Sequence, residues 1–246
     1  MDHRAPSVSC CTLCPFQPVC TSAHEGTASP SDGALTPQQR LLNAGDVLFK
    51  QNQPVRALYP LRRGGIKREY ESSLGWRQVT GFQLAGDTVG LEPNDAPTFG
   101  MSAIALQTSE CCVVPMEVAK ASMADPGVHA AILAMLRREA LRQRELLLAI
   151  GSMKAAQRLA MLLLDLAAEH RRRGFDGGEV TLAMTRNDIA SYLGLTLETV
   201  SRLLSRFASV GLITVRHRLL HIVDQPGLAE VHADPDRITL RGPGQP

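Results

Sequence analysis

The sequence predicts an α+β chain in three parts: an all-β unit of short strands, a long helix that pairs with its own copy, and a winged helix-turn-helix. Three observations carry this. Between about 45 and 115, Gly45-Asp46, Arg63-Gly64-Gly65, Leu74-Gly75 and Ala85-Gly86-Asp87 punctuate short apolar runs such as Val47-Leu48-Phe49, the pattern of strands joined by tight turns. Around 128–150 the apolar residues follow a heptad, and around 184–207 two capped helices flank a glycine. The 246 residues are 44% hydrophobic but only 4% aromatic, so a core of mainly aliphatic side chains is expected. No run approaches the ~18 apolar residues of a membrane span. Met1-Asp2-His3-Arg4 opens no apolar leader, so a cytoplasmic chain without membrane attachment is expected.

The parts divide as 1–36, a cysteine-rich segment and linker; 37–127, the β unit; 128–152, the pairing helix; 153–231, the winged helix; and 232–246, a disordered tail. Six cysteines occur, at 10, 11, 14, 20, 111 and 112. In a reducing compartment such clustering points to metal or redox chemistry rather than disulfides. Pro15 and Pro18 oppose a regular helix over 10–20. Residues 21–35 read as a linker or loop. Thr36 as a cap and Pro37 in a first turn predict that helix returns there.

The long helix carries Leu133, Leu136, Ala140, Gln143, Leu147 and Ile150, spaced 3, 4, 3, 4 and 3 apart. This is a heptad seam with one polar member. Arg137, Arg138, Glu139, Arg142, Arg144 and Glu145 flank it, the expected solvated sides of such a helix. A small β unit cannot bury the seam along its whole run, so pairing with a second copy is expected. Gln143 weakens the packing and sets register. After Gly151-Ser152 a second amphipathic helix runs over about 154–171 and stops at Arg171-Arg172-Arg173-Gly174.

The segment 184–207 is the most informative. Thr185 and Asp188 make a capping pair, Ile189, Ala190 and Leu193 an apolar face, and Gly194 a stop. Thr196 caps the next helix, whose Val200, Leu203, Leu204 and Phe207 recur at i, i+3, i+4 and i+7. Glu198, Ser201, Arg202 and Ser205 recur with the same spacing on the opposite side. One face packs and the other points out, as in a helix-turn-helix. Arg202 suits the O6 and N7 acceptors of guanine, Glu198 suits a cytosine amino group, and Ser201 is small enough for close approach. Leu212–Val215 and Leu219–Val223 read as two strands joined at Arg216-His217-Arg218, a basic wing. Between 185 and 221, five arginines (Arg186, Arg202, Arg206, Arg216, Arg218) stand against Asp188 and Glu198. That supplies a phosphate footprint which the whole chain, with 26 basic and 24 acidic residues, lacks. Thr185, Arg186, Thr196, Thr199, Ser205 and Arg206 complete the set expected on the nucleic-acid side.

Taken together, these motifs resemble the FNR branch of the cyclic-AMP receptor protein (CRP/FNR) family. Thr185-Arg186-Asn187-Asp188-Ile189, Tyr192-Leu193-Gly194-Leu195-Thr196 and Glu198-Thr199-Val200-Ser201-Arg202-Leu203-Leu204 carry the resemblance. Thr80-Gly81-Phe82, Leu84-Ala85-Gly86-Asp87 and the spacing Cys11-x2-Cys14-x5-Cys20 add to it. The resemblance implies an N-terminal cyclic-nucleotide-binding-like β-roll, a dimerisation helix and a C-terminal winged helix. It implies a homodimer that regulates transcription in response to oxygen, on a palindromic TTGAT-type double-stranded DNA site read by Glu198, Ser201 and Arg202. It also implies a [4Fe–4S] cluster held by Cys11, Cys14, Cys20 and Cys112, and contact with RNA polymerase through the loop Ser72-Ser73-Leu74-Gly75-Trp76.

Some readings stay open. Cys10 and Cys111 each neighbour an implied ligand, and spacing does not exclude either. Four thiolates also suit Zn²⁺ or a thiol switch, and Cys11-x2-Cys14 alone suits a small electron-transfer protein. No Ser/His/Asp set, phosphate loop or dinucleotide fingerprint is found, so an enzyme is not expected. Gly90 is followed by Leu91 rather than glutamate, and Gly100-Met101-Ser102 offers no arginine for a cyclic phosphate, so no cyclic nucleotide is expected. Gln143 stands where the family often has aspartate, so pairing without the cluster should be stronger than in a strictly switched dimer.

Overall fold

The computed structural model describes residues 10–20, 38–91, 97–174, 176 and 178–234. The chain divides into two compact units, 1–140 and 141–246.

The first unit opens with two 3-10 turns, Cys10–Leu13 and Gln17–Val19. Eight strands follow: β1 (Gln38–Leu42), β2 (Val47–Phe49), β3 (Ala57–Arg63), β4 (Gly65–Glu71), β5 (Arg77–Leu84), β6 (Thr88–Val89), β7 (Ser102–Ala105) and β8 (Ser109–Pro115). They form two antiparallel sheets, ordered β1-β8-β3-β6 and β2-β7-β4-β5. Alternation does the sorting, because successive side chains of a strand face opposite sides. Leu61, Ile66, Ala103, Ala105 and Cys111 point into the roll. There Phe49 stacks on Phe99 with ring centroids 3.6 Å apart. Burying each such ring stabilises the roll by roughly 1.5–3 kcal/mol.

One expectation is corrected here. No helix follows Pro37: Thr36 and Pro37 lie outside the described residues, and Gln38–Leu42 is strand β1. Its five residues pair with Ser109–Val113 of β8, and that ladder overrides a local cap signal.

The outer face of the β8 sheet is also covered. After β8 come α1 (Met116–Ser122) and α2 (Pro126–Ser152). Phe16 packs in one apolar cluster with Leu58, Val114, Ala119, Val128 and Ile132. It is only 1% exposed, so it pins the N-terminal turns to the roll.

The division between the two compact units falls inside α2. The second unit holds α3 (Ala155–Arg172), β9 (Glu179–Thr181), α4 (Arg186–Leu193), α5 (Leu197–Ser209), β10 (Ile213–Arg216), β11 (Leu219–Ile222) and α6 (Gln225–Ala233). Leu159, Leu163, Ile189, Leu193, Phe207, Leu212, Ile213 and Leu220 are the largest of its fully buried side chains among the described residues. The three-stranded sheet is ordered β10-β11-β9. Strand β9 and helices α1 and α6 lack a clear sequence signal, being short. The expected tail begins later than 232, because His232 and Ala233 finish α6; residues 235–246 lie outside the described residues. Among the described residues no helix is long and apolar enough to cross a membrane.

Candidate cofactor site and nucleic-acid interface

The thiols divide by strand pleat. Cys111 is wholly buried in the roll interior with Ile66 and Leu61. Cys112, next in line, belongs to the opposite face, as does Val114, which packs against Phe16. Cys14 lies against that same cluster. Cys20 and Cys112 are buried, and Cys11 and Cys14 are half-buried. Local hydrogen bonds shape the segment: Cys14 N–H donates to Cys11 O at 3.1 Å and Gln17 N–H donates to Cys14 O at 3.1 Å.

Electrostatics place these four in one neighbourhood. Burial pushes the Cys14 thiol up to about 12, and Cys112, Cys20 and Cys11 each push it further against one backbone hydrogen bond. Burial pushes Cys112 to about 11; Arg62 opposes this, while Cys20, Cys11 and the adjacent Cys111 add to it. Buried thiols without a cation are neutral, whereas bound iron or zinc would hold them as thiolates. Four cysteines in mutual range match a [4Fe–4S] cluster in donor type and number. Among the described residues no group of three or more His, Cys, Asp or Glu side chains forms a ready-made site for a single metal ion. The side chain of Cys10 lies outside the described residues.

The second site is built from caps. Thr185 Oγ1 accepts from Asp188 N–H at 3.1 Å, and Thr185 N–H donates to Asp188 Oδ2 at 2.9 Å, a reciprocal box that opens α4. Gly194 ends α4 with φ +63, a left-handed backbone that glycine adopts without strain. Thr196 Oγ1 accepts from Thr199 N–H at 3.2 Å and opens α5. Helix α5 then buries Val200, Leu204 and Phe207. Glu198, Arg202 and Ser205 are exposed on its other side, with Thr199, Ser201 and Arg206 half-buried. The Glu198 backbone N–H and, to a lesser degree, the hydroxyl of Thr196 hold the Glu198 carboxyl below its ordinary value, so it is an ionised acceptor. Arg186 is exposed and reaches Ser201 Oγ at 3.5 Å. Strands β10 and β11 meet in a tight hairpin in which Arg216, His217 and Arg218 are exposed.

Arg158 is a residue that the sequence reading missed. Its guanidinium donates to Met153 O at 3.0 Å, Leu193 O at 3.1 Å and Ile150 O at 2.8 Å. It thereby ties the last turns of α2 and α4 together, a cation among carbonyls at helix C-termini. An arginine in the first turn of an amphipathic helix is too common to flag. Phe16 was also missed, although it is the one aromatic residue before Phe49.

Two surfaces remain. Leu133, Leu136, Ala140, Leu147 and Ile150 are exposed along α2, Leu147 to 72%, and Gln143 is half-buried. Val128, Ile132, Met135, Leu146 and Ala149 are the buried hydrophobic residues of the same helix. In the β4–β5 loop, Ser72 Oγ accepts from Leu74 and Trp76 N–H, both at 3.2 Å. Ser73, Gly75 and Trp76 are exposed there, Ser72 half-buried. Trp76 is 55% exposed and leans on Tyr70, with ring centroids 5.6 Å apart.

A β-roll followed by a long helix and a winged helix-turn-helix defines a DNA-binding regulator. Residues 157–231 match the Crp-like helix-turn-helix domain, and residues 39–125 match the cyclic nucleotide-binding domain. The chain is 37% identical over 198 residues to the transcriptional regulatory protein btr of Bordetella pertussis, covering 80% of this chain and 82% of that one. It is 34% identical to the fumarate and nitrate reduction regulatory protein of Escherichia coli, covering 79% and 78%. The solved structure of FixK2 from Bradyrhizobium japonicum superposes with TM-score 0.71 at 29% identity, covering 80% of this chain and 97% of that one. The chain belongs to the CRP/FNR family of transcription regulators.

Proposed function

We propose that this chain is a cytoplasmic, oxygen-responsive regulator whose active form is a homodimer carrying one [4Fe–4S] cluster per subunit. What supports the reading is that Cys14 packs against the cluster anchored by Phe16, that Cys112 lies on that same face of β8, and that both feel the charge of Cys11 and Cys20. When bound, such a cluster supplies iron–thiolate bonds that oxygen can destroy. The chain's own residues do the rest. Loading requires the protons of Cys14 and Cys112 to leave, and the four thiolates then tie residues 11–20 to β8. Phe16 touches Val128 and Ile132, so this tie bears directly on the first turns of α2. A bias toward pairing follows only if the tie differs between monomer and dimer.

Pairing uses the outward stripe Leu133, Leu136, Ala140, Gln143, Leu147 and Ile150. Gln143 brings no like-charge repulsion, so the iron-free protein pairs at micromolar concentration. Each subunit sets α5 in a major groove of a TTGAT-type palindrome, with Glu198, Ser201 and Arg202 at base edges. Thr185, Arg186, Thr196, Thr199, Ser205, Arg206, Arg216 and Arg218 serve phosphates and close approach. Ser72, Ser73, Gly75 and Trp76 contact RNA polymerase. The roll binds no cyclic nucleotide, for want of the glutamate and arginine such a ligand needs. The name of the Escherichia coli relative, a fumarate and nitrate reduction regulator, supports a role in anaerobic metabolism.

The test is anaerobic purification of the wild type and Cys112→Ser, with iron, zinc and acid-labile sulfide assayed beside the visible spectrum and operator binding. Four iron and four sulfide per wild-type chain, little in the variant, and operator affinity that falls on exposure to air are the expected results. Colourless, zinc-loaded or metal-free protein with air-stable operator affinity overturns the proposal.

A further inference from the structure

The roll holds a half-buried charged side chain, Arg68, whose role the proposed function does not explain. Ile66 and Arg68 lie on the same face of β4, and Ile66 belongs to the core. Arg68 therefore points inward, beside Gly81 of β5 and Ala103 of β7, its partners in register. Its side chain is 19% exposed and forms an ion pair with Glu139 of α2. Its Nε is buried without a hydrogen-bond partner.

The surroundings are cut to fit this guanidinium. A Cβ on Gly81 would stand 2.7 Å from Arg68 Nη2, 3.2 Å from Nε and 3.3 Å from Cζ. Gly81 has no left-handed backbone, so what a side chain there would lack is space, and Ala103 is likewise small. An apolar residue would fill the interior without an orphaned donor. A half-buried ion pair is weak evidence for stability, since a hydrophobic replacement of like volume often does as well. What the pair does supply is direction. It joins β4 to one point on the circumference of α2.

That point matters for pairing. On a helix with 100° per residue, Ile132, Met135 and Glu139 share the face turned to the roll, at i, i+3 and i+7. Leu133, Leu136 and Ala140 each follow one of them and lie on the exposed stripe. Fixing Glu139 fixes the rotation of α2 and hence where the stripe faces. We infer that Arg68 is a positioning residue for subunit pairing: through Glu139 it sets α2 on the roll so that Leu133, Leu136 and Ala140 face a second copy. The inference rests on the proposed use of that stripe as the dimer seam.

The experiment uses the full chain, purified anaerobically, as wild type, Arg68→Met, Glu139→Gln and Arg68→Lys. Three quantities are read: the dimer dissociation constant by sedimentation, hydrogen exchange of the amides of residues 132–140, and the urea midpoint. Arg68→Met and Glu139→Gln should weaken pairing by about fivefold or more, in the range of measured couplings, and speed exchange in that stretch. Arg68→Lys keeps the charge but not the planar fork and should recover part of the loss. If Arg68→Met lowers the urea midpoint but leaves the dimer constant within about twofold, the role is structural only and the inference fails while the seam stands. A wild type monomeric at all concentrations overturns the seam itself and the inference with it.

Discussion

Phe16→Ala tests whether the cysteine-bearing segment is held by packing. Phe16 is buried against Leu58, Val114, Ala119, Val128 and Ile132. Truncating a core Phe costs about 3–5 kcal/mol, from lost transfer energy and the cavity left behind. Most of this cost should appear as local opening of residues 10–20 rather than global unfolding, because the two-sheet core around Phe49 and Phe99 is a separate cluster. Taking the lower figure, opening becomes more than about a hundredfold more frequent, at tenfold per 1.4 kcal/mol. Opening also changes the chemistry. Closed, Cys14 is held near 12; in water it returns to its ordinary 9.0, so each opening exposes a far larger thiolate fraction. The assay is alkylation of the metal-free chain at pH 7.5, followed residue by residue by mass spectrometry. Cys14 and Cys20 should react about a hundredfold faster in the variant, while Cys111, inside the roll, keeps its wild-type rate. Unchanged rates at Cys14 and Cys20, or equal acceleration at Cys111, would refute the reasoning.

Arg202→Ala should cost about 1–3 kcal/mol at a guanine-containing half-site and relax preference at that position alone, as read by binding to a panel of single-base operator variants. Arg216→Ala with Arg218→Ala should weaken all sequences alike and flatten the slope of log affinity against log salt by up to about 2, which a titration series in potassium chloride measures. Trp76→Ala should leave operator binding intact and lower transcription at promoters that need the loop contact; unchanged transcription there would count against it. Burial, with Glu145 and Glu169, pushes Asp165 up to about 6 against Arg142 and His232. Its protonated form favours the fold, so that contribution is full below about pH 4 and is lost as pH rises through 6. Asp165 is nonetheless open to solvent, which screens this effect, so Asp165→Asn should stabilise the chain by no more than about 1 kcal/mol at pH 7.5 and by little at pH 4 in urea melts.

The winged helix was legible because its signals are local. Thr185 with Asp188, Gly194 and Thr196 each act within three or four residues, and the caps at 185 and 196 occur where the sequence places them. The exposed apolar stripe of α2 was legible for the same reason, as a periodicity. The helix expected at Thr36 failed because β1 is made by β8, some seventy residues away. Arg68 with Glu139 and Arg158 with Leu193 were invisible, since each joins residues that only the fold brings together.

The adjacent thiols show most plainly what a sequence omits. Cys111 and Cys112 are chemically identical and differ only in parity along β8. Parity is fixed by pairing, with Cys112 opposite Gln39 on β1 and Val114 opposite Leu58 on β3. A slip of one residue would send Cys112 into the roll and Cys111 out to Cys14 and Cys20. What prevents the slip is burial on both faces at once: Ile66 and Leu61 meet Cys111 inside, while Phe16 and Leu58 meet Val114 outside. Which of the two thiols faces outward, as the proposed fourth ligand must, is thus decided by hydrophobic contacts that contain no sulfur chemistry. Cys112→Ser with Cys111 intact should therefore not be rescued by its neighbour, and the iron content of that variant checks it: loading equal to wild type would mean that β8 can change register.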